Sequence, residues 1–489
     1  MSKENLNSYN QIAKATSILG GVQVFNILIS IIRSKFIAVL LGAAGVGIIG
    51  LYTSTTNMVI ALTSLGINFS GVRTISQSFA KNNIHSQSRA IIILRRWAYL
   101  TGITGTILTL IFSKQLSRWV FGSEDYKYAF IFLSITLLFQ SINGSQQAIL
   151  QGMQRIKLLA KANLIGSFVG LCISIPLYYI LGINGIVPSL ILIAVVTMAI
   201  SLYYASKIVV EKVRISIIES FHEGLEMVKL GTVIMITNLV LLGVLYLVQL
   251  FINRTGGIEQ VGLYVASTTI ISGYIGLVFS SMLPDFLPRL SSVSNDTLKI
   301  NKLVNQQTEI AILILGPILI LLLSTLPIVI KILYDSSFLP VTKLIQWSIP
   351  GILFMAANWT SSIMIIAKGD FKLFLIIELS TDVIILLSNT ILYHYFQLEG
   401  IGIASLINNV TRLFFQLSIL KFKYSFSFEN SGIKLFLIQL VLTTILFLFV
   451  LLLGYPKSYF IGVILLMISL TFSYFEINKR IEIRAIFKA

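Results

Sequence analysis

Apolar residues run along this chain in blocks of about 20, separated by short polar or basic segments, from one end to the other. A block of that length crosses the ~30 Å hydrocarbon core of a bilayer as a helix rising ~1.5 Å per residue. The pattern predicts fourteen membrane-crossing helices, over residues 16–41, 47–69, 90–112, 127–150, 162–181, 186–206, 227–252, 262–284, 309–334, 341–366, 372–396, 401–421, 433–453 and 458–477. Short turns at 182–185 and 397–400 alternate with longer basic loops, and the longest stretch on the short-loop side, 113–126, is too small for a folded catalytic domain. The fold class is therefore an all-α polytopic membrane protein.

Charge sets the orientation. With the N-terminus placed in the cytoplasm, 26 of the 36 Lys and Arg fall on the inner side, 6 on the outer side and 4 within spans. That asymmetry is the positive-inside pattern and puts both termini in the cytoplasm. Residues 207–229 carry Val213, Ile217, Phe221, Leu225 and Val228 on one helical face, as an amphipathic linker on the inner membrane surface would.

The two sides of this linker repeat each other. Gly50-Leu51-Tyr52 returns as Gly262-Leu263-Tyr264, and Gly185-Ile186 returns as Gly400-Ile401, with the offset drifting only from 212 to 217. The expected domains are an N-lobe over 1–206, the linker over 207–226, a C-lobe over 227–421, and an extra helix pair with a basic cytoplasmic tail over 422–489. Two pseudo-symmetric six-helix lobes place a ligand site between repeats.

Composition removes the soluble classes: 56% of the 489 residues are hydrophobic and 11% are charged. The net charge of +17 reflects the inner loops, and no basic patch is interleaved with stacking aromatics, so nucleic acid is not the expected partner. A single cysteine, Cys172, excludes disulfides and thiolate metal sites, and no His cluster, phosphate-binding glycine loop or nucleophile elbow is present, so no cofactor, metal or catalytic residue is expected.

Within the spans, polar residues recur at helical spacing. Gln23, Asn26, Ser30 and Arg33 share a face of the first helix, Thr53, Asn57, Ser64 and Asn68 one of the second, and Gln140, Asn143, Gln147, Gln151 and Gln154 one of the fourth. Asn238, Gln249 and Asn253 line up on the seventh. Hydroxyls alone fit helix–helix packing, whereas amides need several partners each and suit a wet cavity that takes a sugar.

Between Glu4 and Glu211 the acids are Glu124 and Asp125, both in an outer loop, so the buried charge of the first lobe is positive. Arg33 lies about 12 Å in from the outer end of its helix, deep for snorkelling. A guanidinium in a wet cavity without a carboxylate is an anion receptor suited to phosphate; the rival reading pairs it with an acid of the other lobe. Lys35 points away from the stripe and is open to snorkelling or anion binding. Arg73 and Arg289, at inner helix ends, either guide an anion or mark the positive inside, and Arg254 closes the seventh helix outside. In the second lobe Glu378 and Asp382 share a face of the eleventh helix, and Asn408, Arg412 and Gln416 one of the twelfth. Depth matches Asp382 to Arg412 as a structural pair, and leaves Glu378 as the candidate for a proton- or Na⁺-linked switch.

The segment from Gly66 to Ser76 (Gly-Ile-Asn-Phe-Ser-Gly-Val-Arg-Thr-Ile-Ser), the turn Val120-Phe121-Gly122-Ser123-Glu124-Asp125-Tyr126, the stretch Gln260-Val261-Gly262-Leu263-Tyr264 and Leu287-Pro288-Arg289-Leu290-Ser291 resemble Wzx-type O-antigen flippases. These belong to the superfamily that also holds MATE drug exporters and the lipid II flippase. The resemblance implies a two-lobed alternating-access transporter that moves undecaprenyl-diphosphate-linked oligosaccharide across the bacterial inner membrane, with polymerase and chain-length proteins as possible partners. It also implies a cationic central cavity, in which Arg33 leads the diphosphate contacts, joined by Lys35, Arg73, Arg254 and Arg289. A cation-coupled drug exporter of the same fold is the alternative, and it calls for a first-lobe carboxylate that these spans lack.

Overall fold

The computed structural model describes residues 3–80, 83–294 and 296–480; for residues 3–24, 80, 230–234, 274, 277, 280, 281, 284, 285 and 288 it describes the backbone alone. Gln23, as a side chain, and the tail beyond Arg480 therefore lie outside the described residues. The chain is helical throughout: α1 (Lys3–Thr63), α2 (Ile67–Ala80), α3 (Ile84–Ile111), α4 (Ser113–Phe121), α5 (Lys127–Gly152), α6 (Ile156–Leu181), α7 (Ile186–Ala205), α8 (Ile217–Thr268), α9 (Gly276–Ser292), α10 (Thr297–Leu333), α11 (Val341–Ala367), α12 (Phe371–Tyr424), α13 (Asn430–Leu453) and α14 (Ser458–Arg480).

Among the described residues nine helical stretches are long and apolar enough to cross a bilayer, and three of them, Phe25–Thr63, Ile156–Ala205 and Met235–Gly273, run to 39, 50 and 39 residues. A straight 39-residue helix would be ~58 Å long, about twice the hydrocarbon thickness. Each of the three is interrupted at a glycine with positive φ: Gly42 at 64°, Gly182 at 56° and Gly257 at 82°. Each therefore supplies two crossings, since glycine takes that conformation without a Cβ clash. The 54-residue α12 breaks in the same way at Gln397, with φ 51° and ψ −138°. It is not among the nine, and its apolar positions are interrupted by Glu378, Asp382, Asn389, Asn408 and Arg412. Two crossings from α12 bring the total to the expected fourteen.

Two expectations change locally. The second span is broken after Thr63, where Leu65 and Gly66 both take positive φ, so Asn68 opens α2 and does not continue the stripe of Thr53 and Asn57. The linker is not a separate surface helix: residues 207–216 are irregular, and α8 begins at Ile217 and runs on into the seventh span. Ile217 is 82% exposed, while Ser220 and Met227 are buried. Gly224 lies against the Trp97 indole, leaving no room for a Cβ, and the indole nitrogen donates to the Ser220 carbonyl at 3.0 Å. Arg96 donates to the carbonyls of Ile215 and Ser216, and Arg89 pairs with Glu223. Of the expected apolar face, Val213, Leu225 and Val228 pack on the apolar cluster around Trp97 and Phe221 stacks on its indole, while Ile217 turns outward.

The chain divides into two compact units, Met1–Gly262 and Leu263–Ala489. In the first, α5 packs against α2, α3 and α7, and α6 against α1 and α7. In the second, α10 and α11 form the centre, with α12 against α11 and both α13 and α14 against α10. The added pair is docked through polar groups: Gln439 bonds Ser469 and Ser473, Gly316 lies under the Gln439 amide, and Arg480 pairs with Glu309.

Candidate functional site

The first unit encloses a cavity of about 330 Å³ between α1, α5, α6 and α7. Asn26 and Arg33 reach it from α1, Asn143 and Gln147 from α5, Asn163 and Ser167 from α6, and Thr197 and Ser201 from α7. Room for it comes from Gly166 and Gly170, which replace side chains along its α6 wall. A Cβ at Gly166 would already lie 3.3 Å from Thr197. At about 30 Å³ per water the space holds roughly eleven waters, enough for a phosphate group with part of a sugar ring.

The polar groups divide into satisfied and waiting. Thr197 and Ser201 return their hydroxyls to carbonyls of their own helix, and Gln147 donates to Asn143 at 3.4 Å. The Asn26 side-chain oxygen and the Arg33 Nε are buried with no hydrogen-bond partner among the described residues. No described carboxylate lies within 4.0 Å of Arg33 either. The next acids along the chain after Arg33, Glu124 and Asp125, are in the turn between α4 and α5, where hydrogen bonds from Lys114 and Arg118 hold Glu124 below the usual carboxylate range. A half-buried guanidinium facing amides and hydroxyls, with no described carboxylate in reach, is suited to receive an anion.

Sequence reasoning brought Asn26, Arg33, Asn143 and Gln147 to this one place. Ser30, Lys35 and Gln140 are half-buried on the same helices without lining it. Asn57 and Asn238 are exposed, and Gln249 is buried with its side-chain oxygen unpartnered. Asn68 lies against Gly144, where a Cβ would meet its amide at 2.6 Å. Arg73 and Arg289 are exposed at their helix ends, and Arg254 lines a different, apolar cavity. Asn163, Ser167, Thr197 and Ser201 went unnoticed, although each pair has the four-residue spacing that puts side chains on one helical face.

A second polar cluster lies in the other unit, and one pairing there differs from expectation. Arg412 pairs with Glu378, not Asp382, and also donates to the Ser362 hydroxyl at 3.2 Å. The carboxylate with the longer stem takes the guanidinium. Gln416 donates to Ser361 at 2.8 Å and Ser362 at 3.2 Å, and Ser388 donates to Asn408 at 2.8 Å. Asp382 is 3% exposed and has no ion pair or hydrogen bond among the described residues. It, not Glu378, is the carboxylate that Arg412 does not bond, although the Arg412 charge still acts on it at longer range.

This fold is found in solved transporters. The lipid II flippase MurJ in an inward closed conformation superposes with a TM-score of 0.74 at 13% identity, covering 94% of this chain and 99% of that one. An inward-facing multidrug resistance MATE family transporter gives 0.69 at 16% identity, over 84% and 98%. A transporter from Pyrococcus furiosus, described as having a binding pocket of reversed polarity, gives 0.58 at 18% identity, over 84% and 94%. The protein thus has the fold of the MOP superfamily of membrane transporters. No curated protein matches the sequence. The family model for polysaccharide biosynthesis proteins matches residues 36–343, more than half of the chain, and the chain belongs to that family.

Proposed function

We propose that the protein is a flippase for undecaprenyl-diphosphate-linked oligosaccharide, an O-antigen repeat unit, working by alternating access across the bacterial inner membrane with both termini in the cytoplasm. The observation that carries this reading is the Arg33 guanidinium, partly buried in a cavity lined by amides and hydroxyls with no described carboxylate in reach. Arg33 binds the diphosphate as a planar fork, and Asn26, Asn143, Gln147 and Asn163 bond the sugar next to it. Family membership agrees with a polysaccharide precursor as cargo, and a MurJ-like fold agrees with a lipid-linked one. A cationic drug would find no counter-charge in this cavity, which disfavours the exporter alternative.

Movement of a charged headgroup across the bilayer needs an energy source, and Asp382 is the proposed coupling group. A deeply buried carboxylate that no donor bonds directly exchanges H⁺ or Na⁺ more readily than one in a direct ion pair with Arg412. The test is Arg33→Ala in a strain lacking the native gene. Membrane levels of the protein stay normal while surface polysaccharide disappears; wild-type polymer in that strain defeats the assignment.

A further inference from the structure

The first unit holds another cavity, of about 540 Å³, that shares no lining residue with the Arg33 chamber. Met58 of α1 and Leu247, Leu250 and Phe251 of α8 form an apolar wall along it. Gly243 keeps the trough open, since a Cβ there would come within 3.5 Å of the Met58 methyl. At one end it carries Trp119 of α4 and Arg254. The Arg254 guanidinium donates one long bond, 3.4 Å, to the Trp119 carbonyl, and no described carboxylate lies within 4.0 Å of it. Asn253 donates to the Val120 carbonyl at 2.5 Å, so the short α4 is tied to α8 at this end.

An apolar trough that ends in an indole and an uncompensated guanidinium matches an amphiphile with a hydrocarbon chain and an anionic phosphate head. We propose that this is a second binding site for the cargo lipid, holding its polyprenyl chain against Leu247 and Phe251 and its diphosphate on Arg254, next to the Gly257 break of α8, which the charge asymmetry assigns to the outside. The proposal rests on the cargo assigned to Arg33 and adds a separate station for the lipid end of that cargo.

The experiment is photolabelling of the full protein in proteoliposomes with a benzophenone-bearing polyprenyl diphosphate, followed by peptide mapping. Labelling falls on the α8 peptide containing Leu247 and Phe251 and persists in Arg33→Ala. Arg254→Gln, which removes charge-assisted bonds, and Gly243→Leu, which fills the trough, each reduce it about tenfold or more. Unlabelled undecaprenyl diphosphate displaces the probe and excess phosphatidylglycerol does not. Three results overturn the site: no α8 labelling in the wild type, labelling indifferent to both substitutions, or displacement by phosphatidylglycerol as effective as by the prenyl lipid. Failure of the cargo reading shows separately, as wild-type surface polymer in Arg33→Ala.

Discussion

Substituting Arg33 by glutamine separates a ligand-binding cation from a structural one, because the two roles predict opposite signs for stability. A guanidinium fork on a diphosphate makes two charge-assisted hydrogen bonds of about 1.5–3 kcal/mol each, together about 3–6 kcal/mol. Glutamine retains one neutral bond worth about 1 kcal/mol, so the deficit is about 2–5 kcal/mol, or roughly thirty- to several-thousand-fold in Kd. Nothing in the empty protein is lost in exchange, since the Arg33 Nε is buried without a partner. Leaving such a group unsatisfied costs about 1–3 kcal/mol, so the glutamine variant unfolds at equal or higher denaturant than wild type. The assay pairs titration of a short-chain polyprenyl diphosphate sugar by native mass spectrometry with unfolding in detergent. Arg33→Lys keeps the charge but not the fork and falls between the two in affinity. Binding within about threefold of wild type, or a glutamine variant that unfolds earlier, refutes the reasoning.

The ion pair of Glu378 and Arg412 is a second test, since its side chains keep 17% and 22% of their exposure. Glu378→Gln strands the guanidinium at a cost of about 2–3 kcal/mol, below the ~3–5 kcal/mol of a fully buried pair, and Arg412→Met added to it restores stability to within about 1 kcal/mol; strict additivity in a double-mutant cycle speaks against the pair. Asp382→Asn abolishes the response of transport to an imposed proton or Na⁺ gradient while binding persists, and an unchanged response in reconstituted vesicles removes Asp382 from coupling. At the crossing of α1 and α8, a Cβ on Gly262 would lie 1.9 Å from the Ala43 carbonyl oxygen and one on Gly47 2.2 Å from that of Ile258. Backbone carbonyls cannot swing aside, so Gly262→Val destabilises the first unit by about 3 kcal/mol or more, seen as a lower unfolding midpoint in detergent; a wild-type midpoint excludes the close contact.

The crossings were legible because burial in lipid leaves a signal of about 20 apolar residues that few other constraints mimic. Where the chain turns was legible only in part. The turns at Gly42, Gly257 and Gln397 fell between expected spans, whereas the break at Leu65 and Gly66 lies inside the expected second span, where a lone Ser64 and Gly66 do not stand out from helix-packing residues. Half of the cavity followed from the stripes on α1 and α5, because amides in lipid demand a reason. The α6 and α7 contributions stayed hidden, since Ser167, Thr197 and Ser201 have the look of small interfacial residues and two of them do satisfy themselves within their helices. The choice of Glu378 over Asp382 by Arg412 turns on a single methylene and one helical turn, which depth counting along a helix does not resolve.

The central claim is that the Arg33 chamber receives a diphosphate. A cryo-electron microscopy map of the protein in lipid nanodiscs with a polyprenyl diphosphate oligosaccharide tests it directly. The account predicts paired phosphate density within hydrogen-bond reach of the Arg33 guanidinium, with the first sugar toward Asn143 and Asn163. Headgroup density elsewhere, with the chamber holding only water, contradicts it.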